Sequence, residues 1–97
     1  METKITFEEY LRKENLSENT ITSYLWTVNY FNANYYVVSK ENLLAYKGYL
    51  MEFFKPKTVN LRIQAINKYL EYLEEQQLQL KAVKVQQKNF LENVISN

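Results

Sequence analysis

A chain of 97 residues with one glycine, Gly48, and one proline, Pro56, has almost nothing from which to build tight reversals. Hairpin turns and phosphate-cradling loops draw on Gly for positive φ and on Pro for a fixed φ. Glu, Lys, Leu, Asn and Gln dominate instead, and these suit helices and their ends. The expected fold class is all-α.

The same composition removes several chemistries. The sequence holds no Cys and no His, and every acid is Glu. Disulfides, Cys/His zinc sites and thiol or imidazole catalysis are therefore excluded, and neither a cofactor nor a metal is expected. The length fits one domain, and 46% hydrophobic with 24% charged residues is a globular balance. No window approaches the ~18 uninterrupted apolar residues of a membrane span, and the opening Met1–Tyr10 has no signal-peptide apolar core. A cytoplasmic protein with no membrane partner is expected. The nine tyrosines are read as amphipathic rings at the rim of a helical core.

Caps and apolar spacing mark four helices. Thr6 to Glu9 forms a capping box that opens the first, over approximately 6–15. The second, 18–33, starts after Ser17 and carries Ile21, Tyr24, Leu25, Val28 and Phe31 at helical spacing. Tyr35–Val38 is expected as a buried extended connection, because a lone strand has no partner. The third helix, 40–53, opens at Ser39. The fourth, 56–75, opens at Pro56 and has a regular stripe through Val59, Ile63, Ile66 and Leu70. Residues 1–75 are read as the helical domain and 76–97 as a C-terminal connector, weakly amphipathic again over Lys88–Ser96.

Charge is unevenly spread. The net charge is only +1, yet residues 34–70 carry six basic and two acidic side chains. The first three helices place an oxygen-bearing cap and a Glu at the positive helix end, while the fourth puts Lys55 at its cap and Lys57 in its first turn. No acid follows until Glu71. Each such lysine opposes the macrodipole by about 0.3–1 kcal/mol. This is either a solvated basic end or an anion-binding one. Thr58, Asn60, Leu61, Arg62, Gln64 and Lys68 lie off the apolar stripe, and Asn, Gln and Arg can pair bidentately with base edges in a major groove. Ser17, Asn19, Thr20, Thr22 and Ser23 place small phosphate donors at the start of the second helix. Trp26 and Tyr30 lie beside its main stripe and are read as core-edge aromatics.

Leu16-Ser17-Glu18-Asn19-Thr20-Ile21, with Ser23-Tyr24 and Phe31, resembles the second helix of the N-terminal core-binding (SAM-like) domain of tyrosine recombinases, the phage-integrase family. Leu43 to Leu50 resembles its third helix. Pro56-Lys57-Thr58-Val59-Asn60, with Arg62, Ala65, Ile66, Tyr69, Tyr72 and Leu73, resembles its fourth. The likeness spans roughly residues 5–75, and Lys84–Ser96 looks like the linker into the catalytic domain of integrases from mobile elements.

The resemblance implies an orthogonal bundle of four helices that forms half of a clamp on double-stranded DNA. Its second and fourth helices would face the major groove of a core-type recombination site. Ser17, Asn19, Thr20 and Thr22 would serve on the second helix, and Lys57, Thr58, Asn60, Arg62 and Gln64 on the fourth. Lys55 stands where the family often has a neutral cap, which would make that contact ionic. Lys68 completes the candidate set. The implied partners are DNA, a C-terminal catalytic domain of the same protein, and other recombinase protomers on the site. The family's catalytic Tyr, Arg, Lys and His belong to that other domain, so this chain is not expected to be an enzyme. The alternative is a helical protein-interaction module with a tyrosine-rich surface. Chemistry from Glu alone is the least supported reading, because no carboxylate pair stands out.

Overall fold

A computed structural model describes residues 5–85. They form an all-α bundle of four helices: α1 (Phe7–Lys13), α2 (Glu18–Tyr35), α3 (Lys40–Phe53) and α4 (Pro56–Tyr72), followed by a 3₁₀ turn over Gln76–Leu78. Each start follows from its cap. Thr6 and Glu9 exchange both capping-box hydrogen bonds, and Ser17 and Ser39 accept from the backbone N–H groups of Thr20 and Asn42. Lys55 makes no side-chain cap, and Pro56 begins α4 with a residue that has no N–H to satisfy.

The reversals are made without glycine. Asn15, Tyr36 and Glu74 take positive φ of 61°, 63° and 63°, whereas Gly48 lies mid-α3 at no positive φ. An asparagine tolerates that region because its short amide bonds locally.

The connection after α2 departs from the sequence expectation. Tyr35 still belongs to the helix, Tyr36 and Val37 are 78% and 60% exposed, and the segment turns sharply instead of running buried and extended. Val37 N–H reaches the Tyr35 carbonyl at 2.6 Å around Tyr36, the pattern of a γ-turn. Asn42 Nδ2 then ties the carbonyls of Tyr35 and Val37 to α3. That amide satisfies the backbone, so two bulky side chains are left in solvent.

The core gathers Leu11 from α1, Ile21 and Phe31 from α2, Tyr46 and Leu50 from α3, and Ile66 and Leu70 from α4. The pairing of α2 with α4 is the most extensive in the bundle. After α4 the chain does not leave the bundle at once. Leu80 is buried and Val83 packs against the core. Asn67 pairs with both backbone groups of Leu80 at 2.8 and 2.9 Å, and Asn60 does the same with Val83 at 2.8 and 3.0 Å. Residues 79–85 thus form a strap laid back along α4. The amphipathic run expected over Lys88–Ser96 lies outside the described residues. Among those described, no helix is long and apolar enough to cross a membrane, and no cluster of acids could hold a metal ion.

Candidate nucleic-acid interface

The two helices singled out from the sequence lie side by side, and their seam carries a groove of about 250 Å³. It is lined by Asn19, Thr20, Ser23 and Tyr24 of α2 and by Leu61 and Gln64 of α4. Three of the sequence-selected residues, Asn19, Thr20 and Gln64, thus share one concave surface. Ser17 sits at the α2 end of it and is occupied as the helix cap, with its hydroxyl also donating to Thr20 Oγ1 at 3.0 Å. Thr22 is exposed on α2 but outside the groove lining.

At the start of α4, Lys55 and Lys57 are exposed and enter no ion pair among the described residues, and Thr58 beside them is half-buried. Their two charges stand over a helix N-terminus with no neighbouring carboxylate in the first turn.

Three other candidates are already engaged within the fold. Both amide atoms of Asn60 hold the strap at Val83, so its side chain is not displayed for a base edge. Lys68 donates to Glu14 at 3.1 Å and to Glu71 at 3.2 Å. Burial works to lower its pKa, but those two carboxylates outweigh burial and raise it, so the charge persists with its partners beside it. Arg62 points across the seam, where Nη1 donates to Thr27 Oγ1 at 3.1 Å and to Ser23 Oγ at 3.4 Å. Its guanidinium carbon lies 4.7 Å from the centre of the Trp26 ring.

Two apolar side chains that the sequence names but does not select as contacts lie on or beside this surface. Trp26 is 52% exposed and Leu61 57% exposed. Trp26 stacks on Tyr30 at 5.7 Å while Arg62 covers it from α4, so the ring is held at the rim of the seam. The signal for Leu61 was its position off the apolar stripe, which marks a leucine the core does not use. The tyrosines, in contrast, turn inwards. Only Tyr36 of the nine is exposed, and the rest pack at the core or its edge.

No family model matches the chain, and neither a curated protein nor a solved structure is found to be similar to it.

Proposed function

We propose that this chain is a DNA-binding module of a site-specific tyrosine recombinase, docking the α2–α4 surface on a double-stranded recombination site. The observation that carries the reading is the joining of two unlike features on one pair of helices. A groove with small polar and amide groups (Asn19, Thr20, Ser23, Gln64) runs along the seam. An uncompensated basic end, Lys55 and Lys57, opens α4. Phosphate contacts position a protein on DNA, and amide and apolar contacts in the groove read base edges. Leu61 and Trp26 supply apolar surface of the kind that meets a thymine methyl. The catalytic domain and neighbouring protomers of the resembled family belong to the same reading. A net charge of +1 predicts modest affinity for the module alone, about 10⁻⁴–10⁻⁶ M at physiological salt.

The test is an amide-shift titration of the full chain with a short duplex at low and moderate salt. Shifts gathering on Asn19–Ser23, Lys57, Leu61 and Gln64, and fading as salt rises, support the reading. A flat titration at high duplex concentration sinks it. Lys57→Ala should lower the dependence of log K on log salt by about one phosphate contact. An unchanged slope removes Lys57 from the interface.

A further inference from the structure

The sequence places Arg62 among the DNA contacts, but its surroundings describe another role. Ser23, Trp26 and Thr27 fall at i, i+3 and i+4, so they form one turn of α2. A single guanidinium from α4 grips that turn: Nη1 reaches both hydroxyls, and its carbon lies 4.7 Å from the centre of the indole ring. Thr27 is fully buried and donates its own proton to the Ser23 carbonyl at 2.9 Å, which leaves its oxygen free to accept from Arg62. The Nε of Arg62 is buried with no hydrogen-bond partner. An arginine that clasps phosphate bidentately needs its planar fork free. Here Nη1 is taken up by two hydroxyls of the neighbouring helix.

We propose that Arg62 is a positioning residue for the DNA-facing surface: it fixes α2 against α4 so that Asn19, Thr20 and Ser23 stand opposite Leu61 and Gln64, and it does not itself touch phosphate. The proposal rests on the DNA reading for its consequence, but its structural half is testable without DNA. Ser23 is both an Arg62 partner and part of the groove wall, so the grip and the groove share a residue. The flat guanidinium matters as well as the charge. A lysine in its place would keep the cation but lose the delocalised guanidinium that lies over the Trp26 ring while Nη1 reaches both hydroxyls.

The experiment compares the full chain with Arg62→Lys, Arg62→Met and Thr27→Val, first free and then with a short duplex. Trp26 is the only tryptophan, so its fluorescence reports the seam directly. In the free proteins, Arg62→Lys is expected to shift the Trp26 emission and displace the amide signals of Asn19, Ser23 and Gln64. With DNA, Arg62→Met and Arg62→Lys should weaken binding alike, by about tenfold, with the wild-type salt slope retained. Thr27→Val, which leaves every charge in place, should reproduce part of that loss if the methionine variant does not fold.

Two results with DNA overturn the proposal: a salt slope lowered by about one contact in Arg62→Met, or full binding restored by Arg62→Lys. Either would make the cation a direct contact. Undisturbed Trp26 emission and unmoved groove signals in free Arg62→Lys overturn it without DNA. A wild-type chain that binds no duplex, with the free variants disturbed as expected, refutes the DNA reading and keeps the positioning role.

Discussion

Tyr46 meets the rings of Tyr30, Phe31, Tyr35 and Tyr49, at centroid distances of 6.0, 5.6, 5.6 and 6.2 Å. It is 1% exposed, and burial pushes its phenol up to about 12 from the usual value near 10. A phenol whose folded pKa is raised stays neutral in the fold while the unfolded chain ionises. Its contribution is complete below pH ~10 and is lost as pH rises towards 12, on the order of 2–3 kcal/mol. Denaturant unfolding followed from pH 9 to 12 should show this loss. Tyr46→Phe should flatten much of it, with a remainder from Tyr10 and Tyr30, whose pKa values are also raised. Equal slopes in wild type and variant would exclude Tyr46 as the source. At this scale the rim-of-core reading fits seven of the nine tyrosines, while Tyr46 lies within the core and Tyr36 in solvent. Asn60, which the sequence places among the base-reading candidates, has both amide atoms engaged by Val83. Off-stripe position says only that a side chain avoids the core, and the partner of Asn60 is a backbone 23 residues away.

The helix starts were legible because capping is local. Thr6 with Glu9, Ser17, Ser39 and Pro56 each open a helix where the spacing placed it. The ends were less so: α2 runs on to Tyr35, and α4 stops at Tyr72 instead of near 75. An end defined by a positive-φ residue other than glycine gives no compositional signal, as Tyr36 and Glu74 illustrate. The strap was the largest feature out of reach. Leu78, Leu80 and Val83 have no helical spacing, and the hydrogen bonds that hold this stretch go to side chains of α4, which no local pattern marks. Asn67 and Asn60, two turns apart on α4, each satisfy one strap residue's N–H and C=O as a neighbouring strand would. Asn67→Ala should leave the half-buried groups of Leu80 unpaired and cost about 1–3 kcal/mol. Amide exchange at Leu80 and Val83 should quicken before exchange in the α4 core does. Unaltered protection at Leu80 would show that its apolar side chain alone holds the strap.

The whole bundle is closed by polar contacts between its first and last helices. Tyr10 of α1 donates to Glu71 of α4 at 2.7 Å, Lys68 bridges Glu71 and Glu14, and Tyr72 donates to the Ile5 carbonyl at 2.5 Å. Apart from the Lys68–Glu71 contact within α4, these join residues 54 to 67 positions apart in the chain, so α1 depends on α4 for its place more than on its own seven residues. The Tyr10 hydroxyl chiefly lowers the pKa of Glu71; burial acts against it, and Lys68 lowers it further. A carboxylate with a depressed folded pKa adds stability that is full above its unfolded value and is lost as pH falls through the folded one. Acidification below about pH 4 should therefore loosen α1 from α4 first. Glu71 and Glu14 are each 39% exposed on the side chain, so solvent screening holds the effect to under about 1 kcal/mol. Glu71→Gln should cost a similar amount at pH 7 and remove part of the acid dependence. The check is an amide-exchange or thermal-melt series between pH 3 and 7. A variant that loses stability at pH 7 yet keeps the full wild-type acid slope would place the acid sensitivity elsewhere, with Glu18 and its Arg12 partner at the α1–α2 junction the next pair to test.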